Sequence, residues 1–282
     1  MRLPDFLVIG AGKSGTTSLA AYLDAHPGVF MAHGKELRFF DRYFDRGIEW
    51  YAEHFATAGG RRAGEASPTY FVHDKAPRLV AEQLPGVPKI VLLRNPVECA
   101  YSAWRNAHAR DLDPRPFEDA VEDELAGGGR AVKSRYLRSG HYRDLLAAWE
   151  QADPQAPIHV EWFESLRDDP AGVFARVCAV IGADPSVAPA NLGRVYNRSH
   201  GFRSERWRDA MLRWRLWDRL PYRAAYWISS INRVEQEYDP LASNSKKHLD
   251  EYFRPRNRDL AEYLARPLPP GWAGSDRRAS KA

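Results

Sequence analysis

The sequence predicts an α/β fold: a three-layer sandwich in which a central, mainly parallel sheet is flanked by helices. Three observations predict it. Short apolar runs at residues 5–10, 89–93 and 158–163, edged by Gly or Pro or by charged residues, have the length and uniform hydrophobicity of strands buried on both faces. Between them lie segments with helical spacing, such as Tyr142, Leu145, Leu146 and Trp149. Strands that alternate with helices need crossover connections, which makes neighbouring strands parallel and the crossovers right-handed.

In chain order, strand 5–10 stops at glycines and feeds helix 16–26, which is followed by a strand near 28–30. Short helices are expected around 36–42 and 48–55, then a strand near 62–66 and a helix over 74–84. Strand 89–93 leads into helix 96–109, with Pro96 suited to the first helical position. A helix near 117–126 ends at Gly127–Gly129, which reads as a hinge. Helix 140–151, strand 158–163 and helix 171–182 complete the core pattern. A chain of 282 residues with 44% hydrophobic content can bury one large core. The expectation is one domain over residues 1–272 and a disordered, basic tail over 273–282.

The richest chemistry lies at the first strand-to-helix turn, where Gly10, Gly12 and Gly15 interleave with Lys13 and Ser14 and run into Thr16 and Thr17. Such a turn exposes several backbone N–H groups at a helix N-terminus carrying roughly +0.5 of a charge, which suits phosphate or sulfate. Lys13 adds a full positive charge. A strict Walker A loop needs a Gly five residues before Gly12, where Leu7 stands. A dinucleotide fingerprint matches the glycines literally but lacks the acidic residue about 20 positions on. What remains is a shortened, P-loop-like anion loop.

A second strand-to-turn junction carries Arg94 at its end and Ser102 about two turns into the next helix. In open α/β sheets ligands sit beyond the carboxyl ends of the strands. Lys13 and Arg94 therefore converge on one crevice if their strands are neighbours.

Together these stretches resemble the sulfotransferases that use 3′-phosphoadenosine 5′-phosphosulfate (PAPS), in particular the heparan sulfate type and its soluble bacterial relatives. The resemblance implies that Lys13, Ser14, Gly15, Thr16 and Thr17 bind the 5′-phosphosulfate and that Arg94 and Ser102 bind the 3′-phosphate. Where relatives often carry Arg, this chain has Cys99, which is expected only to pack. The segment Lys35–Asp41 resembles the family's Lys-Glu-Pro-His-Phe-Phe element, which implies Glu36 as general base with Lys35 beside it. Leu37 and Arg38 replace the Pro and His. An acceptor hydroxyl does need a base within reach to become a nucleophile. The alternative for Lys35-Glu36 is a charged helix start above Phe39 and Phe40.

A third likeness, Gly64–Tyr70, puts Glu65 either on an acceptor group or in a structural ion pair with a cation such as Lys13 or Lys35. Residues 249–264 resemble the family's closing helix, preceded by a Phe-x-Pro-x-Asn turn. The family also closes a basic loop over the 3′-phosphate, for which Arg203 is the candidate. Arg203 opens a Trp/Arg-rich stretch to residue 230 that reads as an amphipathic helix packed on the core, or as an acceptor platform or membrane-surface contact.

Composition narrows the classes. The formal net charge of +4 suits an anionic nucleotide donor, and no nucleic-acid module accompanies it. No apolar run approaches a membrane span, and the phosphate loop occupies the first 30 residues, so neither a transmembrane segment nor a cleaved signal peptide is expected. Two distant cysteines form no disulfide framework, and a cytoplasmic location follows as an expectation. The resemblance implies PAPS as donor, adenosine 3′,5′-bisphosphate (PAP) as product, no metal, and a glycan or glycolipid acceptor. A P-loop kinase or NTPase using ATP and Mg²⁺ stays as the alternative; it explains Lys13 and Ser14 and leaves Arg94 and Ser102 without work.

Overall fold

The computed structural model describes residues 1–32, 36–110, 112–127, 136–196, 200–202, 233–235 and 239–272. Five strands, β1 (Phe6–Gly10), β2 (Val29–Met31), β3 (Arg62–Ala66), β4 (Lys89–Leu93) and β5 (Ile158–Trp162), form one sheet in the order β2-β3-β1-β4-β5. Every pairing in it is parallel, with Leu7 opposite Glu65 on one side of β1 and Val8 opposite Ile90 on the other. β1 and β4 are buried along their whole length, as strands at the centre of a doubly covered sheet must be.

Alternation along these strands splits the core in two. Phe6, Val8, Ile90 and Leu92 face helices α1 (Thr16–Asp24) and α8 (Pro170–Ile181) through Leu19, Leu23, Phe174 and Val177. Leu7, Ile9, Val91 and Leu93 face the opposite layer, built from α2 (Gly47–Glu53), α3 (Ala76–Gln83) and α6 (Tyr142–Ala152). Tyr51, Val80, Leu146 and Trp149 fill that side. A satellite cluster joins α4 (Pro96–His108), α5 (Phe117–Leu125) and α9 (Ser243–Arg256) around Trp104, Phe117, Leu249 and Phe253. The short α7 (Phe163–Asp168) follows β5 directly, and α10 (Leu260–Tyr263) packs with α6. The expected three-layer sandwich and its strands are thus present.

Two local expectations change, and one element is additional. The segment expected as a helix over 36–42 is a wide, π-type turn over Phe39–Tyr43, entered through left-handed residues, because Phe39 and Phe40 both turn into the core. The stretch 249–264 that resembles the family's closing helix is divided between the end of α9 and the short α10, with Asn257 between them. The longer helix, α9, spans Ser243–Arg256, carries Pro255 in its last turn and stops at Asn257, whose amide donates to the Gly140 carbonyl at 2.8 Å. A two-stranded antiparallel ribbon, β6 (His200–Phe202) with β7 (Arg233–Glu235), brackets the Trp/Arg-rich stretch. That stretch from Arg203 to residue 230, most of the proposed hinge (128–129) and the tail 273–282 lie outside the described residues.

Candidate active site

The anion loop is built by the end of β1. The Ala11 N–H donates to the Leu92 carbonyl at 2.8 Å, which holds the first loop residue against β4. Gly10 packs so closely on Phe71 that any side chain there would collide with its ring. Lys13 and Gly15 both take left-handed backbone angles, φ 66° and 87°, which reverse the chain before α1 starts at Thr16. Alternating backbone hands turn successive N–H groups toward one concavity, and the first turn of α1 has no preceding carbonyls to occupy its N–H groups. No acidic residue lies in that turn.

Two observations test the loop for an oxyanion. Ser14 is fully buried, and its Oγ has no hydrogen-bond partner among the described residues. An unpaired buried hydroxyl costs roughly 1–3 kcal/mol, which an oxyanion acceptor recovers. Above Gly12, a Cβ would meet nothing within 4 Å, so the loop faces open space. Donors, cation and space together fit a phosphate or sulfate group.

The second anion element meets the first directly. Arg94 leaves the end of β4, and its Nη1 donates to the Lys13 carbonyl at 3.3 Å. Its guanidinium lies 4.8 Å from the centre of the Phe163 ring and 3.5 Å from the Glu98 carboxylate. The Tyr142 hydroxyl donates to the Arg94 carbonyl at 2.6 Å, fixing the backbone behind it. Asn95 caps α4, accepting from the Val97 and Glu98 N–H groups at 3.0 and 3.4 Å. Ser102 sits two turns into α4 and is 8% exposed.

Cys99 does more than pack. It is fully buried, and its Sγ donates to the Gly12 carbonyl at 3.2 Å, a second tie between α4 and the loop. The Glu164 carboxylate, just beyond β5, accepts from the Asn95 N–H at 3.1 Å and from the Trp272 indole at 3.0 Å. The Asn95 amide in turn donates to the Gly271 carbonyl at 2.9 Å. The C-terminal end of the described chain therefore braces the start of the Arg94–Ser102 segment. Asn95-Pro96 is a legible cap signal in the sequence. Cys99, Glu164 and Trp272 carry no local signal for their partners.

Glu36 follows β2 with φ 61°, and Arg38 follows with φ 55°. Left-handed conformations cost a side-chain-bearing residue roughly 1–2 kcal/mol each, so Glu36 is no helix start. The turn is held on its core side. The Arg38 N–H donates to Ser67 Oγ at 3.1 Å, while its guanidinium bonds Asp41 at 2.6 and 3.0 Å. Ser67 Oγ–H donates to Glu65 at 2.7 Å, and the Tyr51 and Tyr70 hydroxyls donate to the same carboxyl at 2.8 Å each. Burial pushes the Glu65 carboxyl up to about 7 against the pull of the three hydroxyls, and nearby Asp41 adds to the rise. Lys35 and Arg203 lie outside the described residues.

Because all five strands are parallel, their carboxyl ends share one edge of the sheet. Across it run Glu36 beyond β2, Glu65 at the end of β3, Lys13 beyond β1, Arg94 beyond β4 and Glu164 beyond β5. This is the edge where open α/β sheets bind ligands. Among the described residues, no group of three or more His, Cys, Asp or Glu is arranged to hold a metal ion, and no helix is long and apolar enough to cross a membrane.

Comparison with known proteins bears on the family and the fold. The family model described as Sulfotransferase domain matches residues 3–199. The chain is 27% identical over 286 residues to human bifunctional heparan sulfate N-deacetylase/N-sulfotransferase 3, covering 95% of this chain and 31% of that protein. It is 32% identical over 202 residues to mouse heparan sulfate glucosamine 3-O-sulfotransferase 6, covering 71% of this chain and 58% of that protein. The chain thus spans between about a third and three-fifths of the length of these two relatives. Among solved structures, a sulfotransferase from Alicyclobacillus acidocaldarius superposes with a TM-score of 0.70 at 21% identity, covering 95% of this chain and 98% of that one. A mouse sulfotransferase complexed with PAP gives a TM-score of 0.50 at 17% identity, over 94% and 89% of the two chains. The match over residues 3–199 covers more than half of this sequence and decides against a kinase, so the chain belongs to the PAPS-dependent sulfotransferase family.

Proposed function

We propose that residues 1–272 act as one domain that transfers a sulfuryl group from PAPS to a hydroxyl or amine of a carbohydrate or glycolipid acceptor. The single observation that carries this reading is the hydrogen bond from Arg94 to the Lys13 carbonyl, which makes two separate anion elements walls of one crevice. A donor with phosphates at both ends of its ribose needs two such elements. A nucleoside triphosphate engages the loop and leaves Arg94 and Ser102 idle.

In this reading Lys13, Ser14, Gly15, Thr16 and Thr17 hold the 5′-phosphosulfate, and Arg94 and Ser102 hold the 3′-phosphate. PAPS, when bound, supplies the sulfuryl group and leaves as PAP. The chain contributes positioning and charge. Lys13 and the first-turn N–H groups of α1 face the end of the donor where negative charge grows. Glu36 takes the proton of the acceptor hydroxyl or amine. The heparan sulfate names of the relatives and the aromatic-basic stretch beyond Arg203 support a glycan or glycolipid acceptor. Lys35 is a candidate for acceptor contact, and Arg203 for closing over the 3′-phosphate.

Calorimetry with PAP in the absence of divalent metal tests the reading: tight binding is expected. ATP binding that requires Mg²⁺, with PAP inert, overturns it. Incubation with labelled PAPS and a glycan extract of the host then identifies the acceptor.

A further inference from the structure

Glu65 carries a buried carboxyl group that the transfer reaction does not use directly. It lies at the end of β3, between the strand that carries Lys13 and the edge strand that leads to Glu36. It is 2% exposed, and its oxygens accept from three hydroxyls, those of Tyr51, Tyr70 and Ser67. Ser67 spends its proton on Glu65 and so presents a lone pair outward. That lone pair takes the N–H of Arg38, two residues beyond Glu36. Tyr51 and Tyr70 anchor the far end of the chain, because both rings pack against Phe39 or Phe40 of the same turn.

We infer that Glu65 and Ser67 are positioning residues: through the Arg38 N–H they lock the left-handed turn that aims Glu36 at the acceptor. The inference rests on the reading of Glu36 as the base and deepens it. A carboxyl group is the right anchor because its two oxygens offer acceptor sites to several donors at once. It thereby orients the Ser67 hydroxyl, which without it is free to rotate and drop the Arg38 N–H. Glu36 and Arg38 both sit at positive φ, where the backbone needs outside restraint to stay. The guanidinium of Arg38, bonded to Asp41, pins the other side of the same turn.

Two measurements on the full chain test this. Amide hydrogen exchange needs no acceptor: in Ser67→Ala the Arg38 amide is expected to exchange at least tenfold faster, with the amides of α1 and α4 unchanged. Label transfer from PAPS to a host glycan extract gives the functional arm. Ser67→Ala is expected to lower the PAPS-saturated rate about tenfold with KM for PAPS unchanged, and Ser67→Thr, which keeps the hydroxyl, to restore it. Added to Glu36→Gln, Ser67→Ala brings no further loss, since there is then no base to aim. Glu65→Gln behaves like Ser67→Ala if it folds, and the Ser67 pair decides the matter if it does not.

Unchanged Arg38 exchange in Ser67→Ala overturns the inference. So does a loss that multiplies with that of Glu36→Gln, or one matched by lost PAP affinity. If Glu36→Gln alone keeps the parental rate, the base assignment fails instead, and the exchange result still judges the lock.

Discussion

The Arg94 guanidinium donates to the carbonyl oxygen of Lys13 across 81 positions of sequence, joining the end of β4 to the loop that follows β1. One residue thus serves the geometry of both halves of the crevice. It ties the end of β4 to the loop and, in the proposed reading, also offers charge to the donor's 3′-phosphate.

Removing Arg94 is therefore expected to weaken PAP binding by at least one charged phosphate contact. A hydrogen bond to a charged group contributes about 1.5–3 kcal/mol, so Arg94→Ala should cost roughly 10–150-fold in affinity by calorimetry. Arg94→Lys should recover little, because an ammonium does not reproduce the planar fork that spans the loop carbonyl and the Phe163 ring. Lys13→Ala should lower turnover by about 10²-fold or more.

Glu36→Gln separates chemistry from donor binding. Turnover measured by label transfer should fall roughly 10²-fold, while PAP affinity stays at the parental value. A parental rate in this variant removes Glu36 as the base.

Cys99 predicts a subtler effect. Cys99→Ala removes the thiol bond to the Gly12 carbonyl and leaves a small buried gap. The lost hydrogen bond, about 1 kcal/mol, should lower fold stability by a similar amount and weaken PAP by up to roughly fivefold. Alkylating reagents should leave native Cys99 unmodified and react with it after unfolding, as read by mass spectrometry.

The Glu65 carboxyl makes stability fall as pH rises near neutrality. Its native value, pushed up by burial to about 7, lies above the ordinary carboxyl value, so the folded chain holds a proton that the unfolded chain has lost. That contribution is complete below about pH 4.5, disappears as pH rises through 7, and amounts to at most ~3 kcal/mol. Glu161 acts oppositely. Burial raises its carboxyl, but hydrogen bonds from His159 and Arg176 outweigh it and hold the group at about 2, so its contribution persists down to strongly acid pH. Denaturant midpoints at pH 5 and pH 7.5 should therefore drop for the parent. Glu65→Gln should flatten that drop.

The elements that were legible are those whose signals are local. β1 and β4 announce themselves as apolar runs of strand length that end in Gly10 and Arg94. The turn into α1 needs glycines, and α4 begins at an Asn-Pro cap, so both strand-to-helix junctions could be placed within a few residues. The Glu36 turn was harder. Its charged, aromatic sequence suits a helix start, yet its left-handed backbone is set by Ser67, 29 positions away. The same holds for Trp272 on Glu164, which 108 positions separate. No periodicity encodes such pairs.

By itself the amino-acid order determined which segments become strands, where the anion loop lies and which side chains carry charge into it, because propensity, periodicity and turn chemistry act over a few residues. Only the tertiary structure decided that β3 inserts between β2 and β1, bringing the buried Glu65 beneath the Glu36 turn, and that Cys99 and Arg94 grip the loop. Strand order and hydrogen bonds between distant residues follow from how whole faces of the sheet are covered, a collective balance that no short window of sequence contains.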